Sequence, residues 1–531
     1  MKHYFLNILF CMMCMCTRAQ HEFHVAVNGT SSGHGSLEEP WGLQTALSQK
    51  TDIINGGDTI WLHEGVYSGR FLSSIQSDKE NSFVTVAPYQ QRNVILNGNV
   101  ISERNAVLTI IGKQVIFKNF EITCLGKFSR DEKDIDFNRM DGISHSSGED
   151  CKFLNLKIHD NPGSGIGSWK LTAGSVIDGC WIFNNGYQSK VRGSGVGIYV
   201  QNQSDKARWI TNNIIYNNYY KGVEVWSATS GSKFEFVKNV TLQNNIIFNN
   251  GGPGGMFRDN VIIASEDKDG INVAKNIKML NNILYHNSDF NNDKNFGDGA
   301  SLSLGYISQA PVENVVIKDN VIIGKNNDLG IAYAKSLTFQ DNIVYCGYIH
   351  FNTSALDHIS NWKFSNNIYY SRTSGGFRIL KHKDYGLKDW QSTFGMDTNS
   401  ELKQVAEFDM ENVLDITKDS YENESYRIVL FNKNGNDVMV DFSEYKIKNG
   451  ASYRIYDIEN HKEIAASGIV TDNTKITFPM QLKDFKKPLH NEVAQKTPSN
   501  FGVFLIEFES EQTSYTEEKT GFQKFLIWLG F

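Results

Sequence analysis

Thr211-Asn212-Asn213-Ile214-Ile215-Tyr216-Asn217-Asn218 returns as Gln243-Asn244-Asn245-Ile246-Ile247-Phe248-Asn249-Asn250 and again as Leu280-Asn281-Asn282-Ile283-Leu284-Tyr285-His286-Asn287. Weaker copies are centred on Asn320, Asn342 and Asn367 and, upstream, on Asn119, Asn155 and Cys180. Each copy places a short β-branched strand before the Asn pair and another after it. A Gly- or Asn-rich turn and a third strand follow, as in Gly197-Ile198-Tyr199-Val200-Gln201, Gly222-Val223-Glu224-Val225-Trp226 and Gly299-Ala300-Ser301-Leu302-Ser303. Asn tolerates the left-handed backbone angles of a tight bend between strands, and its amide can bond the Asn one coil further on. A unit repeated in this way builds a solenoid whose strands pair between coils. An antiparallel sandwich of hairpins leaves unexplained why one turn sequence recurs at one-coil spacing. The pattern predicts an all-β solenoid.

The N-terminal stretch extends this reading. His24-Val25-Ala26-Val27-Asn28-Gly29-Thr30, Gly35-Ser36-Leu37-Glu38-Glu39-Pro40-Trp41 and Gly57-Asp58-Thr59-Ile60-Trp61-Leu62-His63-Glu64-Gly65-Val66-Tyr67 look like the opening coil of exported bacterial β-helix proteins. Over roughly residues 23–395 the chain resembles the right-handed parallel β-helix family of pectate-lyase-like, carbohydrate-active proteins. That resemblance implies a capping helix, here about Leu43 to Lys50, that closes the end of the solenoid. It speaks to fold more than to reaction, because one fold hosts many functions.

The remainder of the chain divides around the repeat. Met1 to His3 is a short basic start, Tyr4 to Cys16 is apolar, and Thr17-Arg18-Ala19-Gln20 reads as a cleavage region. Residues 1–20 are therefore expected to be a secretory signal, with a periplasmic or secreted product. Neither Cys14 nor Cys16 follows a good small-residue lipobox, which disfavours a lipid anchor. Residues 21–396 are assigned to the capped solenoid. From Asp397 the Asn pairs stop and alternating segments take over, at Tyr426 to Phe431, Val438 to Phe442, Ser452 to Ile458, Lys475 to Phe478 and Phe501 to Phe508. With Asn434-Gly435 and Asn449-Gly450 as hairpin turns, residues 397–510 read as a small antiparallel β domain. Residues 511–531 form a tail, apolar at its end but too short to span a bilayer. Cys124, Cys151 and Cys180 recur at near-equal intervals and are expected as stacked interior residues.

The chain has 531 residues, 40% of them hydrophobic, with 52 basic against 59 acidic side chains and a formal charge of −7. Without a Lys/Arg run, that balance gives no footprint for nucleic acid. A monomer without a membrane span is expected. Aromatic residues, at 12% with 22 Tyr and 9 Trp, suit a surface that binds sugars.

Strand residues alternate inward and outward, so one outward row per sheet lines a long shallow groove suited to an extended glycan. If the residue after each strand-opening Gly points inward, the outward row contains Ser144, Tyr199, Glu224, Ser301 and Arg378, with Gln201, Trp226 and Ser303 two places on. Coils stack ~4.8 Å apart, so neighbouring coils can act on one sugar ring. Near this row fall His145, His159, Trp169, Arg192, Lys221 and Arg258. The mixture suits β-elimination on a uronic acid, which needs a cation to neutralise the carboxylate and a tuned base to remove the adjacent proton. Arg192, Lys221 and Arg258 are candidates for neutralisation, and Tyr199, His145, His159 or Lys221 for proton exchange. Glu224, Trp226, Gln201 and Trp169 would contact sugar. The expected substrate is an acidic polysaccharide or oligosaccharide. A sugar oxygen as leaving group makes a polysaccharide lyase; the hydroxyl of a terminal uronate makes a dehydratase.

Two rival readings stand beside this one. A glycoside hydrolase would pair Glu224 with Asp141, Asp160 or Asp298. A non-catalytic, glycan-binding solenoid would show an aromatic stripe without clustered titratable groups. Glu266-Asp267-Lys268-Asp269-Gly270 is acidic enough to hold calcium weakly but reads first as a solvated turn. The lysine-bearing strand motif of the alginate and chondroitin lyases that share this architecture is missing.

Overall fold

The computed structural model describes residues 20–287, 299–325, 329–421, 424–471 and 473–509. Three parallel sheets of 12 strands each run along the solenoid. The first extends from Glu22–Thr30 to Trp362–Ser365, the second from Gly65–Ser68 to Glu401–Gln404, and the third from Phe71–Ser73 to Lys383–Tyr385. Only the last strand of the third sheet, Lys383–Tyr385, is antiparallel to its neighbour. Together the three sheets form a right-handed parallel β-helix.

The Asn pairs do two jobs at the corner between the first and second sheets. The first Asn of each pair supplies the bend, with φ of 58° at Asn212, 56° at Asn244 and 55° at Asn281. The second is buried and stacks on its counterpart in the next coil. Asn213 Nδ2 donates to Asn245 Oδ1, Asn245 to Asn282, Asn282 to Asn320, Asn320 to Asn342 and Asn342 to Asn367. A second ladder at the corner leading into the third sheet runs Asn161, Asn185, Asn218, Asn250 and Asn260. These amides satisfy backbone groups at buried corners, where an orphaned donor or acceptor is costly. Between the ladders the interior is filled by stacked Ile, Val, Leu and Phe, such as Ile182, Ile215, Ile247 and Leu284. A short helix, Leu43–Leu47, covers the N-terminal end with Leu43, Ala46 and Leu47.

Cys124, Cys151 and Cys180 are buried free thiols, but they do not stack on one another. Cys124 follows the second-sheet strand Glu121–Thr123, Cys151 precedes the first-sheet strand Lys152–Leu154, and Cys180 occupies an Asn-ladder corner, its N–H bonded to Asn213 Oδ1. Burial pushes all three thiols up to about 12.

Of the described residues, those up to Phe408, joined by Lys487–Gln495, form one compact unit; those of Asp409–Lys486 and from Lys496 on form another. The solenoid thus runs about a dozen residues past 396, because Glu401–Gln404 still pairs with Ile368–Ser371. In the second unit a five-stranded antiparallel sheet has the order Val413–Lys418, Ser425–Phe431, Phe501–Glu509, Ser452–Asp457, Ile464–Ile469. Val438–Asp441 pairs separately with Lys475–Phe478. Gly435 and Gly450 have the positive φ of turn residues, yet each turn links strands of different sheets rather than closing a hairpin. The signal, the tail and Asp298 lie outside the described residues. No helix among the described residues is long and apolar enough to cross a membrane.

Candidate functional site

The outward row of the third sheet reads Ser144, Gly167, Tyr199, Glu224, Ile262, Ser303, Gly330, His350 and Arg378, each paired with the next. Ser303, not Ser301, occupies the row. Ser301 sits at the corner before its strand, fully buried, where it donates to Ile323 O and accepts from Asn260 Nδ2.

The middle of this row carries a dense charged cluster. Tyr199 and Glu224 are direct neighbours on adjacent strands. Lys221 stands at the mouth of the Glu224 strand, and Asp259 at the equivalent place one coil on, because Val223 pairs with Val261. Lys221 Nζ lies 3.0 Å from Glu224 Oε1 and 3.5 Å from Asp259 Oδ2, and Ser303 Oγ donates to Asp259 Oδ1. Burial works against the Lys221 charge, but the Glu224, Asp259 and Tyr220 oxygens facing it hold the ammonium protonated well above the usual lysine range. Burial, with Glu224 beside it, likewise pushes the Tyr199 hydroxyl well above the usual phenol range.

Tyr220 is the focus of the positive charge. The Arg192 guanidinium sits 3.7 Å from its ring centroid, Lys221 Nζ 4.7 Å and the Arg258 guanidinium 5.8 Å. Arg192 arrives on the small hairpin Tyr187–Gln188 and Gly193–Ser194, Tyr220 on the turn before Glu224, and Arg258 on the loop after the turn Gly252–Gly254. Neither arginine has a carboxylate partner among the described residues. Aromatic rings flank the cluster: Trp169 lies 5.1 Å from Tyr199, and Trp226 packs edge-on to Tyr306 at 5.0 Å. Trp169 and Tyr306 are 41% and 51% exposed, so both offer a face to a ligand.

Eight of the residues singled out from sequence therefore meet here: Trp169, Arg192, Tyr199, Gln201, Lys221, Glu224, Trp226 and Arg258. Among them Gln201 is a support. Its Nε2 is spent on Tyr199 Oη and Trp226 O, and it is 5% exposed. Asp259 and Tyr306 were not singled out. The signal for Asp259 is its register, since it lies opposite Lys221 one coil on.

The two histidines lie elsewhere. His145 points into the solenoid, where Nδ1 meets Ser168 Oγ at 3.0 Å, Nε2 meets Gly148 O at 2.9 Å and the ring packs edge-on to Phe153. Burial, with Arg208 beside it, pushes its imidazole down to about 3, so it is a neutral core residue and not a proton exchanger at the groove. Because an unfolded histidine titrates near ~6.5, the unfolded chain binds a proton that the folded chain refuses between those values. Stability from His145 is thus complete above ~6.5 and falls by up to about 1.4 kcal/mol per unit as the pH drops toward 3. Thermal melts from pH 7 to 4 should show a shallower acid decline in His145→Gln than in the parent chain; parallel curves would contradict this placement.

His159 lies on the second sheet, stacked on Phe183 at 4.7 Å and held by Glu121 Oε1 at 2.9 Å and Asp160 Oδ2 at 2.8 Å. Burial opposes its charge, but the two carboxylates win and raise its value. Asp160 is bound in turn to Arg130 at 2.7 Å. This closed network leaves neither Asp160 nor His159 available to the groove. Asp141 is three coils from Glu224, about 14 Å at the spacing of paired strands, and accepts the Ser164 N–H. The acidic segment at 266–270 turns at Lys268, Asp269 and Gly270, which are exposed, but the Asp267 carboxylate is buried. It takes the backbone N–H groups of Ser232, Asp269, Ile271 and Asn272, which hold its value down despite burial.

Residues 49–257 match the family model described as the right handed beta helix region. Solved structures to which the chain is similar include pectate lyase Pel9A, at 15% identity over 68% of this chain and 78% of that one, with a TM-score of 0.42. Another is a GH136 lacto-N-biosidase from Eubacterium ramulus, at 13% identity over 75% of this chain and 69% of that one, TM-score 0.41. A third is PfbA, a surface adhesin of Streptococcus pneumoniae, at 10% identity over 77% of this chain and 99% of that one, TM-score 0.47. No curated protein matches the chain at a significant level.

Proposed function

We propose that the protein is a carbohydrate-active enzyme that performs β-elimination on a uronic-acid-containing glycan, with its site at the Tyr199, Tyr220, Lys221, Glu224 and Asp259 cluster. The observation that carries this reading is the convergence of Arg192, Lys221 and Arg258 on Tyr220. A uronate carboxylate bound by Arg192 and Arg258 loses its charge electrostatically, which acidifies the adjacent C–H. Tyr220 in its phenolate form, stabilised by the three cations around its ring, accepts that proton and becomes the neutral phenol. The C–H electron pair becomes the new C=C bond as the neighbouring C–O bond breaks. Tyr199 or Lys221, both held protonated, returns a proton to the departing oxygen. Glu224 and Asp259 fix Lys221, while Trp169 and Tyr306 offer stacking faces to flanking sugars. Export directed by residues 1–20 would place this activity where such polymers are met.

A second reading is glycoside hydrolysis, favoured by a specific distance. Glu224 and Asp259 each approach one ammonium nitrogen within 3.5 Å, so their oxygens are at most about 7 Å apart, within the span of glycosidase carboxyl pairs. The readings separate by product. Incubation with uronate-containing polymers and oligomers should raise the ultraviolet absorbance of unsaturated uronate ends, with none from neutral glycans. New reducing ends without that absorbance would favour the hydrolase. Calorimetric binding with no product by mass spectrometry would favour a binding solenoid.

A further inference from the structure

A nine-residue segment far along the chain, Lys487–Gln495, lies on the solenoid. Leu489 N–H donates to Asp160 Oδ1 and Leu489 O accepts from Arg130 Nε, both at 2.7 Å, which fixes the segment to the buried network around His159. The next contact is of a different kind. Asn491 Nδ2 donates to Tyr219 Oη at 2.7 Å and to Pro253 O at 2.9 Å, and its Oδ1 accepts from Val493 and Ala494 N–H, each at 3.0 Å. Each partner adjoins the cluster. Tyr219 immediately precedes Tyr220, and Pro253 lies in the turn that leads to Arg258. The same two backbones meet the Arg192 hairpin without room for a side chain: a Cβ on Gly193 would fall 1.9 Å from Tyr219 O and 2.9 Å from Gly254 Cα.

We infer that Asn491 is a positioning residue, a clasp whose single amide ties the Tyr219–Tyr220 turn to the Pro253 turn and so sets Tyr220 against Arg192 and Arg258. Its catalytic meaning rests on the β-elimination reading; the clasp itself does not. The Asn491 oxygen is held by its own turn, and both bonds that its Nδ2 donates go to the two loops, 272 and 238 residues away in sequence. A clasp on two loops, each carrying one cation of a three-cation cluster, controls a distance on which transition-state stabilisation depends steeply, since ~1 Å of misplacement can cost ~100-fold.

The test uses the full chain and reads two quantities. In Asn491→Ala, amide hydrogen exchange of segments 186–196 and 251–258 should quicken while the solenoid strands exchange as before and the melting temperature falls by no more than a few degrees. With a glycan that the parent chain processes, kcat should fall at least ~10-fold with little change in KM, and Asn491→Ala should add little to Arg258→Ala in a double-mutant cycle. Asn491→Asp, which keeps the Val493 and Ala494 contacts but has no donor for Pro253 O, serves if the alanine variant fails to fold and should behave alike. Unchanged exchange in both segments overturns the clasp whether or not an activity is found. Faster exchange with kcat unaltered removes the positioning role. Faster exchange in a chain that turns over no glycan leaves the clasp in place and defeats the functional reading instead.

Discussion

Tyr220→Phe should lower turnover of a uronate glycan by at least ~100-fold, the usual worth of a general base, with little effect on stability. The substitution deletes one oxygen and keeps the ring, so the stacking of Arg192 at 3.7 Å survives. Initial rates followed by ultraviolet absorbance, together with calorimetric affinity, separate the two effects, and affinity should be nearly unchanged. Tyr199→Phe should have the smaller effect, because Lys221 remains as an alternative proton donor. Lys221→Ala is a poorer probe. It strands Glu224 and Asp259 without the ammonium they share, and a buried carboxylate deprived of its partner costs stability as well as activity. A Tyr220→Phe enzyme as fast as its parent would remove Tyr220 from the chemistry.

The second large effect concerns the scaffold. Asn245→Ala should destabilise the chain by about 3–5 kcal/mol, the sum expected for several buried groups left unsatisfied. Asn245 Oδ1 accepts from the N–H and Nδ2 of Asn213, and its Nδ2 donates to Ile210 O and Asn282 Oδ1. Its side chain therefore joins three successive coils at a corner that water does not reach. By contrast Asn314→Ala, at a more exposed corner, should cost only about 1 kcal/mol for its left-handed backbone. Urea denaturation of the two variants measures the difference; equal shifts would mean that the ladder is decorative.

The legibility of these features in sequence follows from what each demands of residue type. A bend with positive φ and a stacked amide leaves few options besides Asn, so the pairs at 212–213, 244–245 and 281–282 announce the coil directly. The third-sheet register is readable where a Gly opens the strand, as at Gly197 and Gly222, and fails where Asn260 and Ser301 take over the corner. There the row shifts by two residues to Ser303. His145 illustrates a different error. The alternation that turns Ser144 outward turns His145 inward, but its chemistry as a residue type outweighed its place in the pattern. Asp259 hid because its importance lies in matching Lys221 across a coil 38 residues long, which only a fixed register reveals. The segment 487–495 has no periodicity of its own, and its contacts with Asp160, Tyr219 and Pro253 span 329, 272 and 238 residues. Nothing local marks it as part of the solenoid rather than of the antiparallel unit that surrounds it in sequence.

The cluster on the third sheet offers a tyrosine among cations and a pair of carboxylates on one ammonium, and the central claim is that the first arrangement does the chemistry. Digestion of a uronate glycan in water enriched in heavy oxygen, followed by mass spectrometry, tests this most directly. Elimination breaks the C–O bond without adding water, so the products should carry an unsaturated end and no heavy oxygen beyond what the control without enzyme acquires. Heavy oxygen at the new reducing end, with a saturated partner fragment, would contradict the account and pass the chemistry to Glu224 and Asp259.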